Sequence, residues 1–196
     1  MKNMPIYEAL AQAFAAEGVD AHFTLMGDGN MHWATAMKNL DGMATFSARH
    51  EHCACAMAMG YHLATGKVGV ASVTCGPGFT QIMTALTVAA RGRIPLVVFA
   101  GEAPINAKWY NQAIDQQPPL AVATGAHYIS AHSPQRMYQY VREAFYVARC
   151  PISATISPHP PSCRRPSLRP PIRDRSSNWP TSSRRRNVRS FSRVAA

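Results

Sequence analysis

Two short segments contain residue types that perform acid–base chemistry or bind a ligand. Glu51 is flanked by histidines in residues 49–52, which read Arg-His-Glu-His. A carboxyl group held in an apolar pocket can share a proton with a weakly basic ligand nitrogen. Residues 76–78, Gly-Pro-Gly, follow an apolar run, and glycines let the backbone approach a ligand closely. Each feature also has a plain structural interpretation: Glu51 as a first-turn acid stabilised by the helix dipole, and the glycines as a simple turn.

The segment around Glu51 also concentrates side chains that bind zinc. Residues 50–55 read His-Glu-His-Cys-Ala-Cys, but neither His-Glu-x-x-His nor Cys-x-x-Cys occurs, and neighbouring helical residues point in different directions. The sequence therefore predicts no metal site here, and the cysteines are interpreted as small core residues. Five cysteines, an odd number, without a secretory signal favour a cytoplasmic protein with reduced thiols over a disulfide framework.

Net charge differs sharply between two parts of the chain. The 196 residues carry a net charge of +10, which taken alone suggests binding to nucleic acid. Residues 1–150, however, contain 10 Lys and Arg against nine Asp and Glu, whereas residues 151–196 contain 10 Arg, no Lys and one acid, Asp174. The excess charge therefore belongs to the tail. No apolar run reaches the roughly 18 residues of a membrane span, so no membrane partner is predicted.

Residues 157–196 are predicted to be a disordered tail. Residues 151–196 include 10 Arg, 10 Ser and eight Pro, a composition that cannot bury enough apolar surface to offset chain entropy. Three interpretations stay open: out-of-frame translation of a GC-rich gene, a linker, or a basic segment that contacts nucleic-acid phosphates. The absence of Lys favours the first, and the scarcity of aromatic residues argues against nucleic acid as a partner.

Short apolar strands alternate with helices along residues 1–156. This alternation predicts an α/β fold, a parallel sheet of about six strands with helices on both faces. Strands are expected over residues 22–26, 44–47, 68–74, 95–100, 128–131 and 152–156. Helices are expected over 5–17, 31–38, 51–65, 78–91 and from Pro134 onward, with an irregular stretch over 102–119. Ligands bind beyond the C-terminal strand ends of such sheets, at loops 27–30, 47–51, 75–78 and 101–104.

A set of short motifs occurs in one order along residues 49–101. It comprises Arg49-His50-Glu51, an Ala-rich helix with Gly60-Tyr61, Ala64-Thr65-Gly66-Lys67, Thr74-Cys75-Gly76-Pro77-Gly78, and an Ile94-Pro95-Leu96 strand that ends at Gly101. In these motifs the sequence resembles the N-terminal, pyrimidine-binding domain of thiamine diphosphate enzymes of the acetolactate synthase and 2-oxoacid decarboxylase group. The resemblance covers about residues 4–156 and implies the thiamine diphosphate-binding fold for residues 1–156.

The resemblance implies roles for residues around the cofactor, thiamine diphosphate. In the family, the glutamate at the position of Glu51 hydrogen-bonds a ring nitrogen of the aminopyrimidine and favours the imino tautomer, which removes the thiazolium proton. Glu51 is therefore the predicted catalytic residue. The loop after the next strand lies against the aminopyrimidine in the family, so the predicted cofactor-binding residues are Glu51, Thr74, Gly76, Pro77 and Gly78.

Further positions are assigned to the substrate side by the same resemblance. The loop after the first strand places Gly27 and Asn30 there, and Gln112 belongs to residues 111–115, which are similar to a Phe-Gln-Glu-x-Asp loop with Asn111 in place of the aromatic residue. Residues 27–30, Gly-Asp-Gly-Asn, are not interpreted as the family's magnesium and diphosphate motif, because its completing Asn is missing from residues 54–58. The magnesium is expected in a domain absent from this chain.

The resemblance further implies that the chain holds half of a site. In the family the site lies between subunits, so a homo- or hetero-oligomer must supply the diphosphate-binding domain, and the chain alone is expected to be nearly inactive. The substrate is expected to be a pyruvate-like 2-oxoacid, the enzyme a transferase or lyase. Two histories fit: a truncated or frameshifted fragment, which the tail favours, or a stand-alone small subunit of a split 2-oxoacid decarboxylase.

Two alternatives from other classes stay open. One is a non-catalytic scaffold whose basic tail contacts nucleic acid, an interaction that would weaken steeply as salt rises. The other is an α/β protein that binds a different nucleotide cofactor through its glycine loops. The second has less support, because neither Gly-x-Gly-x-x-Gly nor a phosphate-loop lysine motif occurs.

Overall fold

The computed structural model describes residues 4–103 and 117–150. Strands and helices alternate along these residues, as the sequence predicts. The helices are α1 (Ile6–Ala16), α2 (Met31–Lys38), α3 (Glu51–Thr65), α4 (Pro77–Thr80), α5 (Met83–Gly92), α6 (Gln117–Ala123) and α7 (Met137–Arg149), the last preceded by a 3₁₀ turn at Pro134–Arg136. The strands are β1 (Ala21–Thr24), β2 (Ala44–Ser47), β3 (Gly69–Val73) and β4 (Leu96–Ala100).

The four strands form one parallel sheet in the order β2-β1-β3-β4. Ala21 is paired with Ala44 in β2, and Phe23 with Ala71 in β3. On the other side of β3, Gly69 is paired with Leu96 of β4. Because all pairs are parallel, the C-terminal ends of the strands lie at one edge, and the loops that follow β1, β3 and β4 leave the sheet side by side.

Helices cover both faces of the sheet, which confirms the predicted architecture. Successive residues of a strand point to opposite faces, and the buried residues divide accordingly. Phe23, Ala71 and Val73 pack against α3 and α5 in one cluster. Val70 and Val97 pack in a second cluster, which includes buried residues of α1, α2 and α7.

Helix α3 lies unusually close to strand β3. A Cβ atom placed on Gly69 would stand 2.2 Å from the carbonyl oxygen of Ala58, so only glycine fits there. The facing side of α3 is made of small residues, and Ala54, Cys55 and Ala58 are fully buried. Because α3 runs back along the sheet between two parallel strands, its N-terminus lies at the edge where the strands end. This packing places Glu51 at that edge.

Three elements differ from the sequence-based expectations. The single helix expected over 78–91 is two, α4 and α5, interrupted between the buried residues Phe79 and Ile82. Helix α6 begins inside the stretch expected to be irregular. Residues 128–131 form no strand; Tyr128 is held instead by a side-chain hydrogen bond, its hydroxyl donating to Glu102 at 2.8 Å. The strand expected over 152–156 and the tail at 157–196 lie outside the described residues.

Two further predictions concern the cysteines, expected to be reduced, and the absence of a membrane-spanning segment. Cys53, Cys55 and Cys75 are free thiols, as the sequence predicts, whereas Cys150 differs from that prediction because it is disulfide-bonded. Among the described residues, no helix combines the length and apolar character that crossing a membrane requires.

Candidate functional site

Three loops converge beyond the C-terminal end of the sheet. They are residues 27–30 after β1, residues 74–78 after β3, and Gly101 after β4. Because β3 lies between β1 and β4, the two outer loops meet across its end. A Cβ atom on Gly101 would stand 2.2 Å from the carbonyl oxygen of Gly29. This backbone contact is possible only with a glycine at position 101, and it closes the loops over the end of β3.

Glu51 is the first residue of α3. His50 is the N-cap in an extended conformation, and its Nδ1 accepts a hydrogen bond from the His52 backbone N–H at 3.1 Å. This cap fixes the first helical turn and with it the start of the Glu51 side chain. The positive end of the helix dipole stabilises a carboxylate at this position. Glu51 is half-buried, so its carboxyl group is accessible to a ligand.

The Glu51 carboxylate faces the glycine turn that follows β3. A Cβ atom on Gly78 would lie 3.5 Å from Glu51 Oε1 and 2.7 Å from Thr74 Cγ2. Gly78 is buried and has no room for a Cβ atom, so only a glycine lets this turn lie so close to both side chains. Within residues 4–103 and 117–150, no group donates a hydrogen bond to this carboxylate. We call this arrangement of Glu51, Gly78 and Thr74 the Gly78 cradle.

The negative charge of Glu51 acts on Cys55, one helical turn away in α3. Burial raises the pKa of the Cys55 thiol to about 12, and the charge of Glu51 adds to that rise. Cys55 is fully buried, so it is a neutral thiol at physiological pH and a packing residue of the core.

Thr74 connects the cradle to the loop after β1. Its Oγ1 accepts a hydrogen bond from the Gly29 backbone N–H at 3.0 Å. Its side chain lies against Gly27, where a Cβ atom would stand 2.7 Å from Thr74 Cβ, as well as against Gly78. The loops at 27–30 and 74–78 are thus packed on one another through this side chain and through the close approach of Gly29 to the Cys75 backbone.

The backbone of the second loop depends on Gly76. Its φ of 58° and ψ of −109° belong to a region that residues with a side chain rarely adopt. Pro77 then begins α4 with the φ that a first helical residue needs. The structure therefore brings the predicted cofactor-binding residues together with Glu51 at one edge of the sheet.

Asn30 lies beneath its loop, with its side chain turned into the protein. The residue is 1% exposed, its Oδ1 accepts a hydrogen bond from the Gly27 N–H at 2.8 Å, and its Nδ2 donates to Ser72 Oγ at 3.0 Å. Gly27 and its neighbours, rather than the Asn30 amide, form the exposed side of the loop. The role of Gln112 stays a prediction, because residues 104–116 lie outside the described part.

Sequence reasoning missed a buried polar cluster under the loop at 27–30. It consists of His22 and Thr24 of β1, Ser72 of β3 and Asn30, and each of these residues is at most 1% exposed. The available signal was a set of polar residues at alternate positions of otherwise apolar strands, which places His22 and Thr24 on one face of the sheet. Burial lowers the pKa of His22 to about 4, so its imidazole is neutral at pH 7.

Outside the cradle, we searched the described residues for metal ligands and for grooves. No group of three or more His, Cys, Asp or Glu side chains in these residues could hold a metal ion. A groove of about 360 Å³ lies between α1 and α2, lined by residues that include Tyr7, Glu8, His32 and Asn39. It belongs to the helices on the opposite side of the sheet from α3.

The fold agrees with the comparisons with known proteins. Residues 4–119 match the family described as thiamine pyrophosphate enzyme, N-terminal TPP binding domain. The chain belongs to this family. It is an acetolactate synthase-like example of that domain, because its curated relatives include acetolactate synthase large subunits.

Three of these relatives show how far the similarity extends. The Haemophilus influenzae large subunit is 35% identical over 106 residues, which are 54% of this chain and 18% of that protein. The Lactococcus lactis large subunit is 33% identical over 144 residues, 72% of this chain and 25% of that protein. The large subunit of Escherichia coli isozyme 2 is 33% identical over 141 residues, 71% of this chain and 25% of that protein. The matched region thus spans a quarter or less of each of these relatives.

A solved structure has the same fold. The thiamine diphosphate-dependent 4-hydroxybenzoylformate decarboxylase of Rhodococcus jostii RHA1 superposes with a TM-score of 0.68 at 20% identity, covering 74% of this chain and 28% of that one. At this identity the likeness concerns the fold, and the site must be argued from the side chains themselves.

Proposed function

We propose that this chain supplies the pyrimidine half of a thiamine diphosphate site, with Glu51 as its acid–base residue. The observation that carries the proposal is the Gly78 cradle, in which the half-buried Glu51 carboxylate lies beside the glycine turn after β3 and receives no hydrogen bond from the described residues. Family membership makes thiamine diphosphate the cofactor to test against this geometry. The role of each residue in binding it is our proposal.

The cradle fits an aminopyrimidine ring on three counts. The missing side chain at Gly78 lets the backbone of the turn after β3 lie close to the Glu51 carboxylate, so a flat ring held by that carboxylate would lie against this backbone. The Glu51 carboxyl group, without a donor among the described residues, is available to hold a proton against a ring nitrogen. Thr74 packs against Gly78, while its hydroxyl oxygen accepts a hydrogen bond from the Gly29 backbone N–H. Glu51 is therefore the group that exchanges a proton with the ring, and Thr74 and the glycines set where the ring lies.

The proposed chemistry is that of a carboligase or decarboxylase acting on pyruvate-like 2-oxoacids. When bound, thiamine diphosphate serves as the electron sink for breaking and forming bonds at the carbonyl carbon of such substrates. The choice of a 2-oxoacid rests on the acetolactate synthase large subunits among the relatives. Glu51 contributes by holding the proton that the ring needs, and Gly27 and Gln112 are proposed to border the substrate.

The proposal includes a partner. The residues described here offer no cluster of metal ligands, and the match covers a quarter or less of each relative cited above. We propose that magnesium and the diphosphate are held by a domain other than the one matched here, contributed within a cytoplasmic oligomer. The chain alone is proposed to be nearly inactive. A separate polypeptide that restores turnover would identify it as the small subunit of a split enzyme.

The experiment that tests this function is an amide NMR titration of the full chain with 4-amino-5-hydroxymethyl-2-methylpyrimidine, the ring portion of the cofactor. Saturable shifts at Glu51, Gly78 and Gly29, lost in Glu51→Gln, are the expected result. The matched control is Glu8→Gln, because Glu8 is an exposed acid in the first turn of α1. The proposal fails if the probe does not bind, or if its shifts lie elsewhere, for example in the α1–α2 groove.

A further inference from the structure

The cluster of His22, Thr24, Ser72 and Asn30 joins two neighbouring strands to the loop after β1. Ser72 Oγ lies 2.8 Å from Thr24 Oγ1 and 2.9 Å from His22 Nε2. Asn30 Nδ2 donates to Ser72 Oγ at 3.0 Å and to the Leu25 carbonyl oxygen at 3.2 Å. Ser72 is therefore the centre of the cluster, and the Asn30 amide is attached to it.

One arrangement of protons satisfies every donor in the cluster. His22 carries its proton on Nε2 and donates to Ser72 Oγ, which also accepts from Asn30. Ser72 then donates to Thr24 Oγ1, and Thr24 donates to the Ser72 carbonyl oxygen at 3.3 Å. Within the cluster, only the His22 Nδ1 lone pair has no partner among the described residues, and a bare acceptor costs less than a buried N–H without an acceptor. The cluster therefore has a single preferred orientation for the Asn30 amide.

That orientation determines the shape of the loop. With Nδ2 held by Ser72, Oδ1 points to the Gly27 N–H and accepts its hydrogen bond at 2.8 Å. The Gly27 carbonyl oxygen in turn accepts from the Met31 N–H at 2.9 Å, where α2 begins. Gly29, in the same short loop, donates to Thr74 Oγ1. A continuous series of contacts thus runs from Ser72 through Asn30 and the loop to Thr74 of the Gly78 cradle.

We infer that Asn30, oriented by Ser72, is a positioning residue that holds the 27–30 loop against Thr74 and thereby fixes the wall of the Gly78 cradle opposite Glu51. The identity of the ligand in this inference rests on the proposed function, whereas the loop geometry rests on the hydrogen bonds given above. The support for the inference is the cost of the polar cluster: apolar residues at 22, 24 and 72 would fill the same space without the desolvation of three polar side chains. The hydrogen-bonded cluster adds what apolar packing does not, a defined direction for the Asn30 amide.

The test compares Ser72→Ala with Thr45→Val in the full chain. Thr45 is the cross-strand neighbour of His22, and its buried hydroxyl has no hydrogen-bond partner among the described residues, so Thr45→Val removes a hydroxyl without removing a hydrogen bond seen there. Amide hydrogen exchange is measured at Gly27 and Gly29, with Val70 and Val97 as references for global opening. Ser72→Ala should accelerate exchange at the two glycines by about tenfold relative to the references, the effect of losing one ordinary hydrogen bond. Thr45→Val should leave this ratio unchanged.

A second readout connects the loop to the cradle. The affinity of the chain for 4-amino-5-hydroxymethyl-2-methylpyrimidine should fall by about fivefold or more in Ser72→Ala and stay at the parent value in Thr45→Val. Should Ser72→Ala not fold, the isosteric Thr24→Val, which removes another hydroxyl of the cluster, takes its place. Unchanged exchange at both glycines, or exchange that rises equally at Val70 and Val97, would overturn the inference and leave a purely structural role. If the loop responds while the parent chain binds no pyrimidine, the proposed function fails and the positioning of the loop stands.

Discussion

The α-carbon of Gly78 lies beside the carboxylate of Glu51, close enough that a Cβ atom at Gly78 would stand 3.5 Å from Oε1. The two residues are brought together by different elements: Glu51 begins α3, and Gly78 lies in the first turn of α4 after β3. Their proximity follows from the close packing of α3 on β3, in which Gly69 meets the Ala58 carbonyl. A small-residue helix, a glycine in a strand and a glycine in a turn thus bring the half-buried Glu51 carboxylate against a buried glycine turn.

Gly78→Ala should block the cradle. The new methyl group would stand 2.7 Å from Thr74 Cγ2, and we expect a loss of about 1–3 kcal/mol in the free energy of unfolding together with loss of pyrimidine binding. The matched control is Gly60→Ala in the interior of α3, where a Cβ atom meets nothing within 4 Å and the change should stabilise the chain by about 0.5–1 kcal/mol. Urea titration and the NMR titration measure both effects. Full binding by Gly78→Ala would contradict the placement of the ring.

Gly101→Ala should separate the loops after β1 and β4. Its methyl group would meet the Gly29 carbonyl oxygen at 2.2 Å, a contact that only backbone displacement relieves. We expect a loss of about 3 kcal/mol in the free energy of unfolding, at the upper end of the range for overpacking, and faster exchange of the Gly29 amide. A variant with parent-like stability and exchange would show that the loops do not meet as described.

The stability of the chain should depend on pH through His22. Burial lowers the pKa of its imidazole from 6.5 to about 4 in the folded state, so the unfolded chain binds the extra proton between these values. The free energy of unfolding should therefore rise by roughly 3 kcal/mol between pH 4 and pH 6.5. This contribution of His22 is lost progressively as the pH falls below about 6.5. The difference between the parent and His22→Gln, which keeps a donor toward Ser72, isolates this contribution in urea titrations at pH 7 and pH 4.5. Parallel pH profiles would contradict it.

His50→Ala should loosen the start of α3. The substitution removes the acceptor for the His52 N–H, and loss of an N-cap typically costs about 1 kcal/mol. His50→Asn, with a side chain preferred at N-caps, should restore stability and pyrimidine affinity together. Circular dichroism during urea denaturation measures the stability, and the NMR titration measures the pyrimidine affinity. Restoration of stability without affinity would show that His50 does more than cap the helix.

Local patterns predicted most of the elements but not which of them meet. Helix α3 was predictable at both ends, because an acid and an Ala-rich run begin it and Gly66, with φ of 74°, ends it. The contact of Asn30 with Ser72 was not predictable, since it requires β1 and β3 to be neighbours although β2 lies between them in sequence. The strand predicted over residues 128–131 was wrong for a related reason: a strand needs a neighbouring strand to pair with, and local propensity does not show whether one is present. The nearness of Glu51 to Gly78 came from the family resemblance rather than from periodicity.

The direct test of the central claim is the turnover of a chimera in which residues 4–119 replace the matching segment of the Escherichia coli isozyme 2 large subunit. Acetolactate formation from pyruvate is measured for the chimera, for its Glu51→Gln variant and for its Glu8→Gln variant. Glu51→Gln should lower kcat by about 100- to 10,000-fold, the range for a lost acid–base group, while Glu8→Gln should match the parent chimera. A Glu51→Gln chimera that turns over pyruvate within about twofold of its parent, a change too small for a lost acid–base group, would contradict the role assigned to Glu51.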